Sequence, residues 1–221
     1  MALPAEKRRY TVTEYLEREE KALDRHEFHD GEILAMSGGT YVHGQINSNV
    51  TRALGNRLGG TGCTVVGSDV RVRVGRDRHY VYPDQSVVCG SPAFDPADDK
   101  QTTILNPKVI FEVLSDSTEA YDRGDKFARY REVPSIIEYV LVSQREPMVE
   151  TFRRGEDGTW RFFAAFAGWD AVARLPSIGI DLPLADVYAG IKFPDAGGPD
   201  VDAVDPLNER RGPDTPPDPA L

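Results

Sequence analysis

The segment KVIFEVLSDS, Lys108 to Ser117, constrains the fold more than any other stretch of this chain. Val109, Ile110, Phe111, Val113 and Leu114 form an apolar run of the length and composition of a buried strand. Glu112 sits in its middle. A carboxylate buried in such a strand costs several kcal/mol unless it is paired, hydrogen-bonded or bound to a cation. The chain must therefore bring a partner to Glu112 or build a site around it. Upstream, YPDQSVVCG (Tyr82–Gly90) places Asp84 after Pro83 at the mouth of a second apolar run, 28 residues before Glu112. Proline cannot donate to a strand ladder, so Asp84 is free to leave the sheet there. If the two strands are neighbours, both carboxylates meet. Two such groups repel, and one must protonate unless a cation lies between them. Mg²⁺ takes oxygen ligands from one or two carboxylates, waters and phosphate. That geometry suits metal-assisted hydrolysis of a phosphodiester.

The elements around these runs can be read by period and by turn chemistry. Thr11-Val-Thr-Glu14 is a capping box, which predicts a helix to about Ala22. HEFHDGEILAM predicts two strands around an Asp30-Gly31 turn. Val42, Ile46, Val50, Ala53, Leu54 and Leu58 share one face, predicting a helix over 41–58 that Gly59 and Gly60 end. CTVVGSDVRVRV alternates Val70, Val72 and Val74 with Arg71 and Arg73, giving one apolar and one basic face. Residues 80–89 read as a strand broken at Pro83, and 91–107 as a polar loop. A helix over 120–132 stops before Pro134, and 136–142 is a further buried strand. Strand, helix and strand over 108–142 suggest a parallel crossover. A hairpin over 148–154 and 160–167 follows, then a strand fragment and a short helix. The fold class expected is α/β, or α+β, with a mixed central sheet.

Charge and composition narrow the function. No stretch approaches the roughly 20 apolar residues of a membrane helix, and MALPAEKRRY lacks the apolar core of a signal peptide. A cytoplasmic protein is expected. Cys63 and Cys89 have neither metal spacing nor a disulfide framework, and Cys89 reads as a small buried hydrophobe. The formal net charge of −10 argues against non-specific binding of bare nucleic acid. From Asp195 onward seven acids face two bases, so tail and body carry −5 each. The Pro- and Asp-rich segment 194–221 is expected to be a disordered tail after a single domain over 1–193. A mildly acidic body can still present a local basic face, and Arg71 and Arg73 form the one compact strip.

Six pieces stand in order: DGEI at Asp30–Ile33, a helix carrying His43, YPD at Tyr82–Asp84, FEVLSDST at Phe111–Thr118, D-x-x-x-K at Asp122–Lys126, and IEYVLVS at Ile137–Ser143. Together they resemble the Uma-type restriction endonuclease family of the PD-(D/E)XK nuclease superfamily, over about residues 10–192. The resemblance implies a restriction-endonuclease-like fold and a divalent-metal endonuclease using Mg²⁺ or Mn²⁺. Asp84 and Glu112 become metal ligands, and the carbonyl of Val113 a third. The superfamily places a lysine two residues after its acid, where this chain has Leu114. Lys126 becomes the displaced lysine, placed to orient water and stabilise charge on phosphate. Glu32 matches the family's acidic position in the early hairpin. Double-stranded DNA is the substrate expected, and a homodimer, with the hairpin over 148–167 as its contact, suits cleavage of two strands.

Plainer readings stand beside each role. Asp84 reads equally as a turn former, Glu112 as half of a structural ion pair, and Lys126 as an ordinary i,i+4 surface partner of Asp122. Glu32 fits an exposed turn, and His43 a backbone hydrogen bond on a helix face. Ser115 and Thr118 read as helix caps. Arg71 and Arg73 fit either phosphate contacts or an exposed strand face. The loss of the lysine at Leu114 leaves open a catalytically inactive nuclease fold that binds nucleic acid or protein. Any sequence specificity is expected from loops such as 91–107.

Overall fold

The computed structural model describes residues 8–36, 38–75 and 79–193. The described elements fall within the compact unit that ends at Ile191. The expected boundary near Pro194 and the acidic tail lie outside the described residues. Helix α1 (Val12–Glu19) opens the fold, with the capping box formed in both directions between Thr11 and Glu14. Strands β1 (His26–His29) and β2 (Glu32–Ala35) pair antiparallel. Their turn is the expected Asp30-Gly31, both at positive φ (45° and 93°), as a tight hairpin turn requires.

Helix α2 spans Tyr41–Leu58, capped by Thr40, whose hydroxyl accepts from the His43 N–H. Its buried face carries Ile46, Val50, Ala53, Leu54 and Leu58. Full burial of each larger aliphatic contributes about 1.5–3 kcal/mol. Strands β3 (Cys63–Gly67), β4 (Arg71–Val74), β5 (His79–Val81), β6 (Gln85–Cys89), β7 (Thr103–Ile104) and β8 (Val109–Val113) follow. The run read as one strand broken at Pro83 is two strands in two sheets. β5 belongs to a five-stranded sheet of order β2-β1-β5-β4-β7. β6 belongs to a six-stranded sheet in which β3, β6 and β8 are followed by β9 (Glu138–Val142), β10 (Met148–Arg154) and β11 (Trp160–Ala167), in the order β11-β10-β9-β8-β6-β3. Pro83-Asp84 is thus where the chain passes from one sheet to the other.

After β8 come α3 (Glu119–Tyr121), a π turn over Asp122–Lys126 and α4 (Phe127–Tyr130). The helix expected here exists, but it is interrupted by that wider turn. β9 (Glu138–Val142) then pairs parallel with β8, Glu112 opposite Leu141, which confirms the crossover. β10 (Met148–Arg154) and β11 (Trp160–Ala167) form the expected hairpin. β12 (Val172–Leu175), which the sequence reading missed, pairs with β13 (Ile180–Pro183) before α5 (Leu184–Val187). One core cluster joins both sheets and α4, with Val72, Val81, Ile110, Tyr130, Tyr139 and Leu141 buried in it. Tyr15, Phe28 and Tyr80 form a smaller cluster under α1, with the Tyr15 and Phe28 rings stacked 4.9 Å apart. Among the described residues, no helix is long and apolar enough to cross a membrane.

Two expectations are corrected by strand pairing. Cys63 and Cys89 form a disulfide. β3 and β6 pair so that the two cysteines lie directly opposite, which a separation of 26 residues does not reveal. The basic strip is also no open face. Arg71 is buried and pairs with Asp98 at 3.0 Å, and Arg73 pairs with the buried Asp95 at 3.0 Å. Both acids come from the loop over 91–107, so that loop buries charge against β4 instead of presenting it.

Candidate active site

A cavity of about 330 Å³ lies where the β1–β2 hairpin, the start of α2, the Pro83-Asp84 passage, the end of β8 and the π turn converge. Strand register brings the first two acids together. Gln85 lies opposite Phe111 in the antiparallel β6–β8 pair, so one step further places Asp84 level with Glu112. Asp84 Oδ2 accepts the Val113 N–H at 2.7 Å, and Oδ1 accepts from Asn47 Nδ2 at 3.0 Å. The His43 Nε2 lies 3.3 Å from Asp84 Oδ2. Burial works against the Asp84 charge, but His43, Lys126 and the Val113 N–H outweigh it and hold its pKa below the usual value. His43 is shifted upward, first by its hydrogen bond to Asp84. Gly39 makes room for this imidazole, since a Cβ there would sit 2.9 Å from His43 Nδ1.

Lys126 reaches the acids from the π turn. Its Nζ lies 2.8 Å from Glu112 Oε1, 3.2 Å from the Tyr82 carbonyl oxygen, and 3.7 Å from both Glu27 and Asp122. It is buried, so the reading as an ordinary surface pair with Asp122 is overturned. A π turn changes the angular register of the residues it carries, and here it holds Asp122 and Lys126 inside the site. Burial disfavours the Lys126 charge, but Glu112, Glu27 and Asp122 overcome it and keep the ammonium protonated. Glu112 is 3% exposed. Burial raises its pKa well above the usual value, with Lys126 pulling the other way. Tyr130 donates its hydroxyl to Glu112 Oε1 at 2.8 Å.

The early hairpin contributes an acid other than the one expected. Glu32 is half-buried at the start of β2 and does not line the cavity. Glu27, on β1, does. Its Oε2 accepts from the Tyr121 hydroxyl at 2.9 Å and lies 3.0 Å from His29 Nε2, and its Oε1 accepts the Tyr82 N–H at 3.2 Å. Burial opposes the Glu27 charge, but Lys126 and His29 outweigh it and hold the pKa down at about 2. The signal for Glu27 was available. Phe28 packs into the core under α1, so alternation puts Glu27 and His29 on the opposite face. Asn47 carried a helical signal, one turn after His43. Ser115 and Thr118 share a hydrogen bond at 2.8 Å, and the Ser115 hydroxyl accepts the Thr118 N–H. Both also line the cavity.

The cavity-lining residues thus include four carboxylates (Glu27, Asp84, Glu112, Asp122), one ammonium and one imidazole. Among the described residues, no group of three or more His, Cys, Asp or Glu is arranged to hold a metal ion. Mg²⁺ needs fewer protein ligands than that, one or two carboxylates completed by waters. The oxygens here that could serve are the Asp84 and Glu112 carboxylates and the Val113 carbonyl, all on cavity-lining residues.

Comparison with known proteins bears on the fold and the family. A solved structure titled as a putative nuclease belonging to DUF820, from Anabaena variabilis, matches with a TM-score of 0.62 at 18% identity, over 80% of this chain and 97% of that one. That likeness shows the fold, a mixed α/β architecture. The uncharacterised protein slr1290 of Synechocystis sp. is 36% identical over 81% of this chain and 92% of its own length. A second uncharacterised Synechocystis protein, sll1609, is 35% identical over 68% of this chain and 84% of its own length. The profile of the Uma2 family, described as "putative restriction endonuclease", matches residues 12–185. On that match and that fold, the chain belongs to the Uma2 family.

Proposed function

We propose that this protein is a divalent-metal-dependent endonuclease that hydrolyses phosphodiester bonds of nucleic acid, with DNA as the substrate class. The observation that carries this reading is the 2.8 Å contact of Lys126 Nζ with Glu112 Oε1. The chain lacks a lysine two residues after its strand acid, yet a lysine from another element arrives at that acid. Asp84, Glu112 and the Val113 carbonyl would hold Mg²⁺ or Mn²⁺. When bound, such an ion activates water and offsets charge building on the phosphate. Lys126 is held protonated beside the acids, where its ammonium can orient the attacking water and meet a phosphate oxygen. His43 fixes the Asp84 carboxylate, and Tyr130 fixes that of Glu112. Glu27 holds Lys126 from the far side, taking the role first assigned to Glu32.

The test is Mg²⁺ and Mn²⁺ calorimetry beside a plasmid-nicking assay, on wild type and on Glu112→Ala. Wild type is expected to bind metal and nick, and the variant to lose both, with nicking reduced by at least about 10²-fold. Absence of metal binding in wild type, even with DNA present, would sink the reading. One observation favours a second reading, a nuclease fold that binds without cutting. Asp84 already receives Asn47, the Val113 N–H and His43, and Glu112 receives Lys126 and Tyr130. Nucleic-acid binding without nicking would establish it.

A homodimer and a cytoplasmic location belong to the same proposal. β11 ends its sheet, and Phe162 and Phe163 on it are exposed, which suits contact with a second copy. Phe152 and Trp160 pack instead against the core. The Cys63–Cys89 bond weighs against a reducing compartment, where disulfides are rare. A thiol count on protein isolated without reductant decides that point.

A further inference from the structure

His29 stands behind the acids. It is buried, and the cavity is lined without it. It lies on β1 two residues after Glu27, so the two side chains share a face of the strand. β1 is an interior strand, paired with β2 on one side and β5 on the other. The imidazole is therefore carried by backbone that two ladders hold in place. Its Nδ1 is buried with no hydrogen-bond partner among the described residues, so the hydrogen bonding of the ring is all at Nε2.

Two routes join His29 to Lys126. The first runs through Glu27. His29 Nε2 lies 3.0 Å from Glu27 Oε2, while Glu27 Oε1 accepts the Tyr82 N–H and lies 3.7 Å from Lys126 Nζ. Glu27 is ionised, so the ring nitrogen facing it carries the hydrogen and donates. With Oε2 held in this way, Oε1 is the oxygen left for Lys126. The second route runs through Tyr121. Its hydroxyl lies 3.2 Å from His29 Nε2 and donates to Glu27 Oε2 at 2.9 Å. The two rings meet edge to face with centroids 6.0 Å apart, and Lys126 Nζ lies 5.9 Å from the Tyr121 ring centroid. Tyr121 is the last residue before the π turn that carries Lys126. His29 thus touches both the acid that faces the ammonium and the residue that leads into its turn. An ammonium on a flexible four-carbon stem is placed by its partners, and placement is most of what a protein group supplies to phosphoryl transfer.

We propose that His29 is a positioning residue for Lys126, acting through Glu27 and Tyr121 to hold the ammonium beside Glu112. What Lys126 does there rests on the nuclease reading above; the contacts that hold it do not.

The test compares wild type with His29→Leu, which removes the donor, and His29→Gln, which returns one. Two quantities are measured at one pH. The first is the rate at which a pulse of N-hydroxysuccinimide acetate acetylates Lys126, read by peptide mass spectrometry, and it needs no activity. The second is kcat and KM for plasmid nicking in Mg²⁺. In His29→Leu, Lys126 is expected to acetylate about 10-fold faster, the effect of one lost hydrogen bond to a charged group. Its kcat should fall toward the roughly 100-fold loss that a misplacement of about 1 Å causes, with KM unchanged. His29→Gln should return both to near the wild-type values. Urea unfolding checks that each variant is folded; if His29→Leu is not, His29→Val, a β-branched residue that suits a strand, takes its place. Acetylation of Lys126 at the wild-type rate in the apolar variant overturns the proposal whatever happens to kcat, as does a failure of His29→Gln to restore it. Faster acetylation with kcat unchanged keeps His29 as the residue that places Lys126 and removes Lys126 from the reaction. A wild type that does not nick removes the nuclease reading, and the acetylation rates alone then decide on His29.

Discussion

Two of the places where the fold buries charge are built differently. On β4, Arg71 meets Asp98, and Asp98 Oδ2 also accepts from the hydroxyls of Thr102 and Thr103 and from the Thr102 N–H. Arg73 meets Asp95, which takes the Tyr80 hydroxyl as well. Cations and acids match one to one. Around Lys126, one ammonium serves Glu27, Glu112 and Asp122, and Asp84 relies on His43 and neutral donors. There the acids are in excess and they line a cavity. A balanced pair pins two segments together, whereas an excess of carboxylates on a cavity is where an outside cation gains most.

The contrast can be broken by removing each cation. Lys126→Met strands several buried carboxylates at once and should destabilise by about 3–5 kcal/mol. Arg71→Met leaves Asp98 with its hydroxyl and backbone donors and should cost about 1–3 kcal/mol. Urea unfolding of the two variants measures the gap. Equal losses would mean that excess acid does not distinguish the sites, and a smaller loss for Lys126→Met would reverse the comparison.

Glu27→Gln sharpens the same point through pH. The Glu27 pKa is lowered from 4.5 to about 2 in the fold. A depressed carboxylate pKa stabilises the fold fully above the unfolded value, and the contribution fades as pH falls through the folded value. The variant should therefore cost on the order of 3 kcal/mol at neutral pH. The difference from wild type should shrink between about pH 4.5 and pH 2. A difference independent of pH would show that Glu27 carries no charge linkage.

The smallest effect is expected at Tyr130. Tyr130→Phe removes the 2.8 Å bond to Glu112 but leaves Lys126 on the same oxygen. A loss of about 1 kcal/mol in thermal or urea unfolding is expected. A much larger loss would make the hydroxyl, and not Lys126, the principal partner of Glu112.

Much of the fold was legible because its signals are local. Thr11 and Glu14, Asp30-Gly31, and the apolar face of 41–58 each fix an element through interactions within a few residues. Glu112 announced a partnered site for the same kind of reason, since a strand that apolar cannot bury a bare acid. Several misreadings turned on contacts between distant segments. Arg71 and Arg73 looked like a basic face because nothing local shows that Asp95 and Asp98 fold over them. Glu32 was preferred because it matches the acidic position of the family the chain resembles, and Glu27 on the neighbouring strand was not weighed.

By itself, then, the sequence determined the element types, the parallel crossover and the presence of a buried acid in need of a partner. These follow from turn geometry, side-chain period and the cost of burying charge. Tertiary structure alone decided which cation reached that acid and that Cys63 would face Cys89. Register between separate strands sets those pairings, and the π turn sets the angle at which Lys126 enters. Neither is encoded within one short segment, because each depends on two elements finding their offset only once they pack.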